Sequence, residues 1–161
     1  MIVNNVTRFL NAKKISFDQF ELPEEKLGAL KTAEFLGVKP EQVFKTIVIT
    51  RSGKAKPILA VVPGNHQADL KLIAQILNEK KVFLPTQAEA EKLTGLLSGG
   101  ISPFALINKG WPVLLAEEAK QYSKIHLSGG QRGLNIRLAV DDIMMLLNAR
   151  VGKISTIIAE N

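Results

Sequence analysis

The sequence predicts a single α+β domain in which a mixed, largely antiparallel sheet is flanked by helices. Its length of 161 residues, with 46% hydrophobic and 22% charged, suits one globular domain spanning residues 1–161. Short apolar stretches rich in Val and Ile mix with amphipathic segments, without the regular strand–helix–strand rhythm of a doubly wound parallel fold. No internal repeat, low-complexity tract or linker rich in Pro, Gly and Ser divides the chain.

The elements follow in order. Asn4 or Asn5 can cap a first helix running to about Ala12, with Val6, Phe9 and Leu10 on one face. An extended "SFDQFE" follows at residues 16–21. "KLGALKTAEFLG" predicts a second helix with Leu27, Leu30 and Leu36 facing inward and Gly37 as the stop, because glycine adopts the left-handed C-terminal position without strain. Pro40 opens a short turn. The β-branched "FKTIVIT", the turn residues "RSGK" and the apolar "PILAVVP" predict a hairpin over residues 44–63. Asp69 can cap a helix through about Leu77, "KVFL" reads as a short strand, and Thr86 with Glu89 forms a capping box for another helix. After a glycine-rich loop come the strand "VLLA", a short helix near Glu117, the strand "KIHL", a second glycine pair, the strand "LNIRLA", and a helix to about Asn148 that Asp141 can cap.

Composition narrows the function classes. The excess of 21 Lys and Arg over 15 Asp and Glu gives a net charge of +6, which favours an anionic partner without choosing among RNA, nucleotide and lipid headgroup. The basic residues are dispersed in pairs such as Lys13-Lys14 and Lys80-Lys81, as on a solvated surface. Zero cysteines leave the protein no disulfide, thiolate metal site or thiol nucleophile, in keeping with a reducing cytoplasm. His66 and His126 lie far apart without a carboxylate at ligand spacing, so no metal is expected and each reads as a surface or polar-contact residue. The first residues carry no basic leader, and no segment approaches the ~18 apolar residues needed to span a bilayer, so neither export nor membrane insertion is expected.

Three sequence features bear on chemistry. Lys45 sits at the mouth of an apolar strand, alternating with Ile47 and Ile49, where its ammonium must snorkel to solvent or meet an anion in a cleft. "TGLLSGGISPF" suits a phosphate cradle, a backbone oxyanion site or a tight loop with glycine at positive φ. It lacks the Gly-Lys-Ser/Thr of phosphate-binding loops and the Gly-x-Gly-x-x-Gly dinucleotide pattern. "SGGQRGLNIRL" carries the second glycine pair before a strand. Ser102 and Ser128 have no neighbouring base and no nucleophile elbow, which points them to hydrogen bonding. The acidic pair Asp141-Asp142 ahead of "IMMLLNA" suits capping and compensation of a helix dipole.

Taken together, "NAKKISFDQFE", "LGVKPEQVFKTIVI", "TGLLSGGISP" and "SGGQRGLNIRLA" resemble the YbaK/EbsC family, the prolyl-tRNA synthetase-associated or INS-like editing domains, over nearly the whole chain. The resemblance implies a mixed sheet curled toward a barrel and surrounded by helices. It also implies removal of wrongly attached amino acids from tRNA. The match is to the free-standing branch that deacylates cysteinyl-tRNA bearing the proline anticodon. Lys45 matches the family's essential lysine, and Gly99, Gly100, Ile101, Ser102 and Pro103 match its Gly-x-x-x-Pro loop. Ser128, Gly129 and Gly130 match a second pocket-lining loop, and Phe20 falls near an aromatic that closes the pocket. Leu96 stands where Tyr often follows Thr-Gly, and Asn135 stands at a substrate position where the cysteinyl branch can carry Asp.

The implied partner is mischarged tRNA, engaged at its acceptor 3′ end, with prolyl-tRNA synthetase as a second partner. No cofactor and no membrane are implied, and the cytoplasm is the implied compartment. An aminoacyl ester is already activated, so positioning and oxyanion stabilisation by fixed N–H groups suffice without a protein nucleophile. In the cysteinyl branch the substrate thiol attacks its own ester, giving a thiolactone. In alanine-directed relatives water does so. The readings that compete with an enzyme are a noncatalytic module binding tRNA or a synthetase, and a protein acting on a nucleotide-like small molecule.

Overall fold

The computed structural model describes residues 1–158. Helix α1 (Asn5–Ala12) is capped by Asn4, whose side chain accepts from the Thr7 N–H at 3.0 Å while the Thr7 hydroxyl accepts from the Asn4 N–H at 2.9 Å. The helix turns Val6 and Leu10 into the core. Strand β1 (Phe17–Glu21) follows, then α2 (Gly28–Leu36), which ends at Gly37 with φ 67°.

The inward face expected for α2 is corrected. Leu30 is 56% exposed, Leu27 and Leu36 are half-buried, and the fully buried side chain is Ala33. The reason is a close approach at the small-residue face. A Cβ on Gly64 would lie 2.8 Å from the Cβ of Ala29, so the helix meets the turn at Gly64 through Ala29, and Leu30 faces outward.

The hairpin forms as expected, from β2 (Phe44–Arg51) and β3 (Ile58–Pro63), with Lys45 opposite Val62. Every residue of β3 is buried, as its place in the middle of a sheet requires. Beyond it lie β4 (His66–Ala68), α3 (Leu70–Ile76) and β5 (Val82–Phe83), with Asp69 capping α3 by accepting from the Leu72 N–H at 3.1 Å. Helix α4 (Gln87–Thr94) carries the Thr86–Glu89 capping box. The remaining elements are β6 (Val113–Ala116), a short 3-10 turn Glu117–Gln121, β7 (Lys124–Ser128), β8 (Leu134–Ala139), α5 (Val140–Leu147), β9 (Arg150–Gly152) and β10 (Ser155–Ile157). Ala139, not Asp141, occupies the N-cap of α5. Asp141 and Asp142 fall in its first turn, where a carboxylate offsets the helix dipole instead of capping.

Three ladders result. The largest has the order β5-β2-β3-β6-β9, with β2 antiparallel to both neighbours and the β3–β6 and β6–β9 pairs parallel. A second, antiparallel, has the order β1-β8-β7, and β4 pairs with β10. The architecture is the expected α+β domain. The strand pairing among the described residues does not close the sheets into a barrel. One parallel bridge between Val43 and His126 brings the start of β2 beside β7, and the core draws on α1, α3 and α5 as well as on both larger sheets. Among the described residues no helix is long and apolar enough to cross a membrane.

Candidate active site

The junction at Val43 and His126 leaves a cavity of about 230 Å³, bordered by β2, the start of α2, both glycine loops and the start of β8. Lys45 and Ile47 of β2, Gly99 and Ile101 of the first loop, and Ser128, Leu134 and Asn135 of β7 and β8 line it. Leu22, Glu25 and Ala29 complete the wall from the α2 side.

Lys45 lines this cavity together with its chain neighbours Val43, Phe44, Thr46 and Ile47, of which Val43 and Phe44 are buried. Its ammonium is half-buried and donates to the Gly64 carbonyl at 3.4 Å, a long bond, and it has no carboxylate partner among the described residues. Burial pushes its pKa below the ordinary 10.5. A cation held with unused donors in a part-dry cavity is suited to binding an anionic or strongly polar group.

The first glycine loop is braced on several sides. The Ser98 N–H donates to the Glu91 carboxylate at 2.7 Å, the Arg132 Nε donates to the Ser98 carbonyl at 2.6 Å, and the Ser128 hydroxyl donates to the Gly99 carbonyl at 3.3 Å. Gly99 has φ +91°, a conformation glycine adopts without strain. At Gly100 a Cβ would sit 3.0 Å from the Gln131 Cα and 3.1 Å from the Arg132 nitrogen, so glycine is what lets the two loops touch backbone to backbone. The N–H groups of Gly99 and Ile101 donate to no protein acceptor among the described residues, which leaves them available to a ligand oxygen.

The second loop is fixed in turn. The Ser128 hydroxyl accepts from the Gly130 N–H at 3.3 Å, and the Gly129 N–H donates to the Leu134 carbonyl at 2.8 Å. Asn4 donates from Nδ2 to the Gly129 carbonyl at 2.9 Å and to Gln131 Oε1 at 3.0 Å, tying the cap of α1 to this loop. Asn135 pairs with Ser128 on one side and Phe20 on the other, and its Oδ1 lies 2.8 Å from His126 Nδ1.

The structure thus gathers Lys45, Gly99, Ile101, Ser128 and Asn135 on one cavity. The other candidates stand outside its lining. Phe20 lies against the His126 ring, centroids 5.3 Å apart, beneath the Arg137 guanidinium. Gly100 faces the second loop, and Gly129 and Gly130 pack against Leu134 and Val6. Ser102 is fully buried and accepts from the Phe104 N–H at 3.2 Å, and Pro103 borders a different cavity of about 430 Å³ beside Trp111. Sequence reasoning missed Glu91 and Arg132 as loop braces, since each acts through a backbone group distant in the chain. His126, read as a surface or polar-contact residue, is buried and makes the polar contact. Among the described residues no three His, Asp or Glu side chains are grouped to hold a metal ion.

Residues 23–146 match the family described as "Aminoacyl-tRNA editing domain". A protein of Enterococcus faecalis (strain ATCC 700802 / V583) named "Putative Cys-tRNA(Pro)/Cys-tRNA(Cys) deacylase EbsC" is 39% identical over 154 residues, covering 94% of this chain and 93% of its own. Among solved structures, one described as "a putative trans-editing enzyme for prolyl tRNA synthetase" superposes with a TM-score of 0.79 at 22% identity, over 97% of this chain and 99% of its own. The hypothetical protein APE2540 superposes with a TM-score of 0.87 at 18% identity, over 95% and 100%. At those identities the two structures speak for the fold alone.

Proposed function

Because this chain belongs to the aminoacyl-tRNA editing domain family, we propose that it deacylates mischarged tRNA in trans, with cysteinyl-tRNA bearing the proline anticodon as its principal substrate. The observation that carries the reading is the convergence of the Lys45 ammonium, the Gly99 and Ile101 backbone and Ser128 on one cavity. At about 230 Å³ the cavity falls below the usual ~300–1,000 Å³ of ligand pockets, which suits a small acyl group.

In this reading Lys45 donates to the phosphate or sugar of the terminal adenosine and fixes the ester over the glycine loop. It acts as a positioning cation, not as a base. The N–H groups of Gly99 and Ile101 receive the negative charge that develops on the carbonyl oxygen. The serines are poor nucleophiles here, because Ser102 is buried and the Ser128 hydroxyl is committed to Gly99 and Gly130.

The nucleophile therefore comes from the substrate or from solvent. With a cysteinyl ester, the thiol sulfur bonds to the carbonyl carbon, the ester C–O bond breaks, and the tRNA hydroxyl leaves with the thiol's proton, yielding a thiolactone. With an alanyl or seryl ester, water attacks and the free amino acid results. One methylene in such a pocket is worth ~1–3 kcal/mol, so discrimination among Cys, Ser and Ala is modest. Prolyl-tRNA synthetase is the source of the mischarged substrate in this reading, the cytoplasm is where the two meet, and co-sedimentation with and without tRNA tests a standing complex.

A panel of cysteinyl-, alanyl- and seryl-tRNA with the proline anticodon tests the proposal. Turnover of the cysteinyl substrate is expected, with thiolactone or cysteine as product. Folded protein that binds tRNA in a salt-sensitive manner but cleaves none of the three would make it a noncatalytic module.

A further inference from the structure

Asn135, in the cavity wall, and His126, outside its lining, form a buried pair with 4% and 3% exposure. His126 Nδ1 lies 2.8 Å from Asn135 Oδ1. An amide oxygen carries no proton, so the imidazole nitrogen must donate. The Phe20 ring covers the imidazole, and the Val43 backbone bridges to its strand. The charged groups facing it are Arg137 of β8 and Asp18 of β1, paired with each other at 2.8 Å, with Lys124 close to Asp18 on β7. Burial is the largest influence on His126 and pushes its pKa below the ordinary 6.5, which favours the neutral ring, and a neutral ring that donates to Oδ1 carries its proton on Nδ1. Asn135 Nδ2 donates to no protein acceptor among the described residues, and Asn135 lines the cavity.

We propose that His126 is a positioning residue: its Nδ1–H pins the Asn135 amide with Nδ2 turned into the cavity, so that position 135 offers N–H donors to an acceptor atom of the acyl group. The inference rests on the deacylase reading of the same site. It has a consequence for substrate orientation. The α-ammonium of an aminoacyl ester has only donors, so it is turned away from Asn135 while a carbonyl or side-chain heteroatom faces it. A carboxylate at this position would attract the ammonium and reverse that preference, so the orientation of the acyl group is written into the histidine–asparagine pair.

The test begins with the imidazole nitrogens of the full chain, read by ¹⁵N NMR at pH 7, with a His66→Gln variant to assign the two histidines. The expected result is a protonated Nδ1 and a bare Nε2 on His126. A proton on Nε2 instead would mean that the amide is turned round, and overturns the proposal. The second arm is kinetic. His126→Leu, which removes the donor, should lower kcat/KM on cysteinyl-tRNA roughly tenfold, and His126→Gln, which restores an N–H, should recover part of it. Equal activity of folded His126→Leu and wild type overturns the positioning role, and so does a Gln variant no better than Leu. If the Leu variant fails to fold, the nitrogen spectrum and the Gln variant decide. Wild-type protein that turns over no aminoacyl-tRNA removes the deacylase reading itself, a result distinct from turnover with the proton on Nε2.

Discussion

The hydroxyl of Ser128 donates to the carbonyl oxygen of Gly99 at 3.3 Å, and through this bond β7 latches a loop that precedes it by 29 residues. The Ser128 hydroxyl oxygen in turn accepts from the Gly130 N–H at 3.3 Å, so one hydroxyl serves both glycine loops. Ser128→Ala removes both bonds. A net loss of ~1 kcal/mol of stability is expected, with a drop of about tenfold in deacylation. Thermal unfolding and steady-state kinetics of the variant check this, and unchanged kinetics would show that the latch does not set the loop.

Gly100→Ala tests the contact between the loops directly. The new methyl would press on the Gln131 and Arg132 backbone, which has no rotamer with which to move aside. A destabilisation of ~1–3 kcal/mol is expected, together with lower kcat/KM. A variant with wild-type stability and activity would mean that the loops separate without consequence.

Lys45→Met keeps most of the side-chain volume and removes the cation. Deacylation is expected to fall by about 10² or more, the scale for losing the group that positions the reacting ester, while the melting temperature holds or rises. The pH dependence has a definite sign. Burial sets the folded-state pKa of Lys45 below 10.5, so between the two values the unfolded chain binds more protons and wild-type stability grows as pH rises toward 10.5. That growth should be smaller in Lys45→Met, as denaturant midpoints across alkaline pH will report.

His126 gives the corresponding effect on the acid side. Its folded-state pKa lies below 6.5, so its contribution is fully present above 6.5 and is lost as pH falls through the folded value. Urea midpoints should decline from pH 7 to pH 5 more steeply in wild type than in His126→Gln. Parallel slopes would contradict a buried neutral imidazole.

Much of the fold is legible in the sequence where the signal is local. The hairpin rests on a β-branched run and a turn, and α3 and α4 announce themselves by Asp69 and by the Thr86–Glu89 box. The inner face of α2 is not legible, because it is chosen by how closely Ala29 can approach Gly64 and not by which residues are most apolar. Leu30→Ser should accordingly change stability by no more than ~0.5 kcal/mol in chemical denaturation. Strands β4, β9 and β10, three residues each, are too short to carry a period and exist through their partners. At the site, each residue type is visible in the sequence, but the meeting of Lys45 with Gly99 and Ser128 is tertiary and becomes readable only through resemblance. The brace from Arg132 to the Ser98 carbonyl leaves no pattern at all, since any residue supplies the acceptor.

The cap of α1 reaches 125 residues along the chain to hold the Gly129 carbonyl. Because Gly129 follows Asn4 by 125 residues, a fragment that lacks either segment cannot assemble this wall of the pocket. Two ends of the fold are thereby stapled together, and excising either one unfastens the second glycine loop.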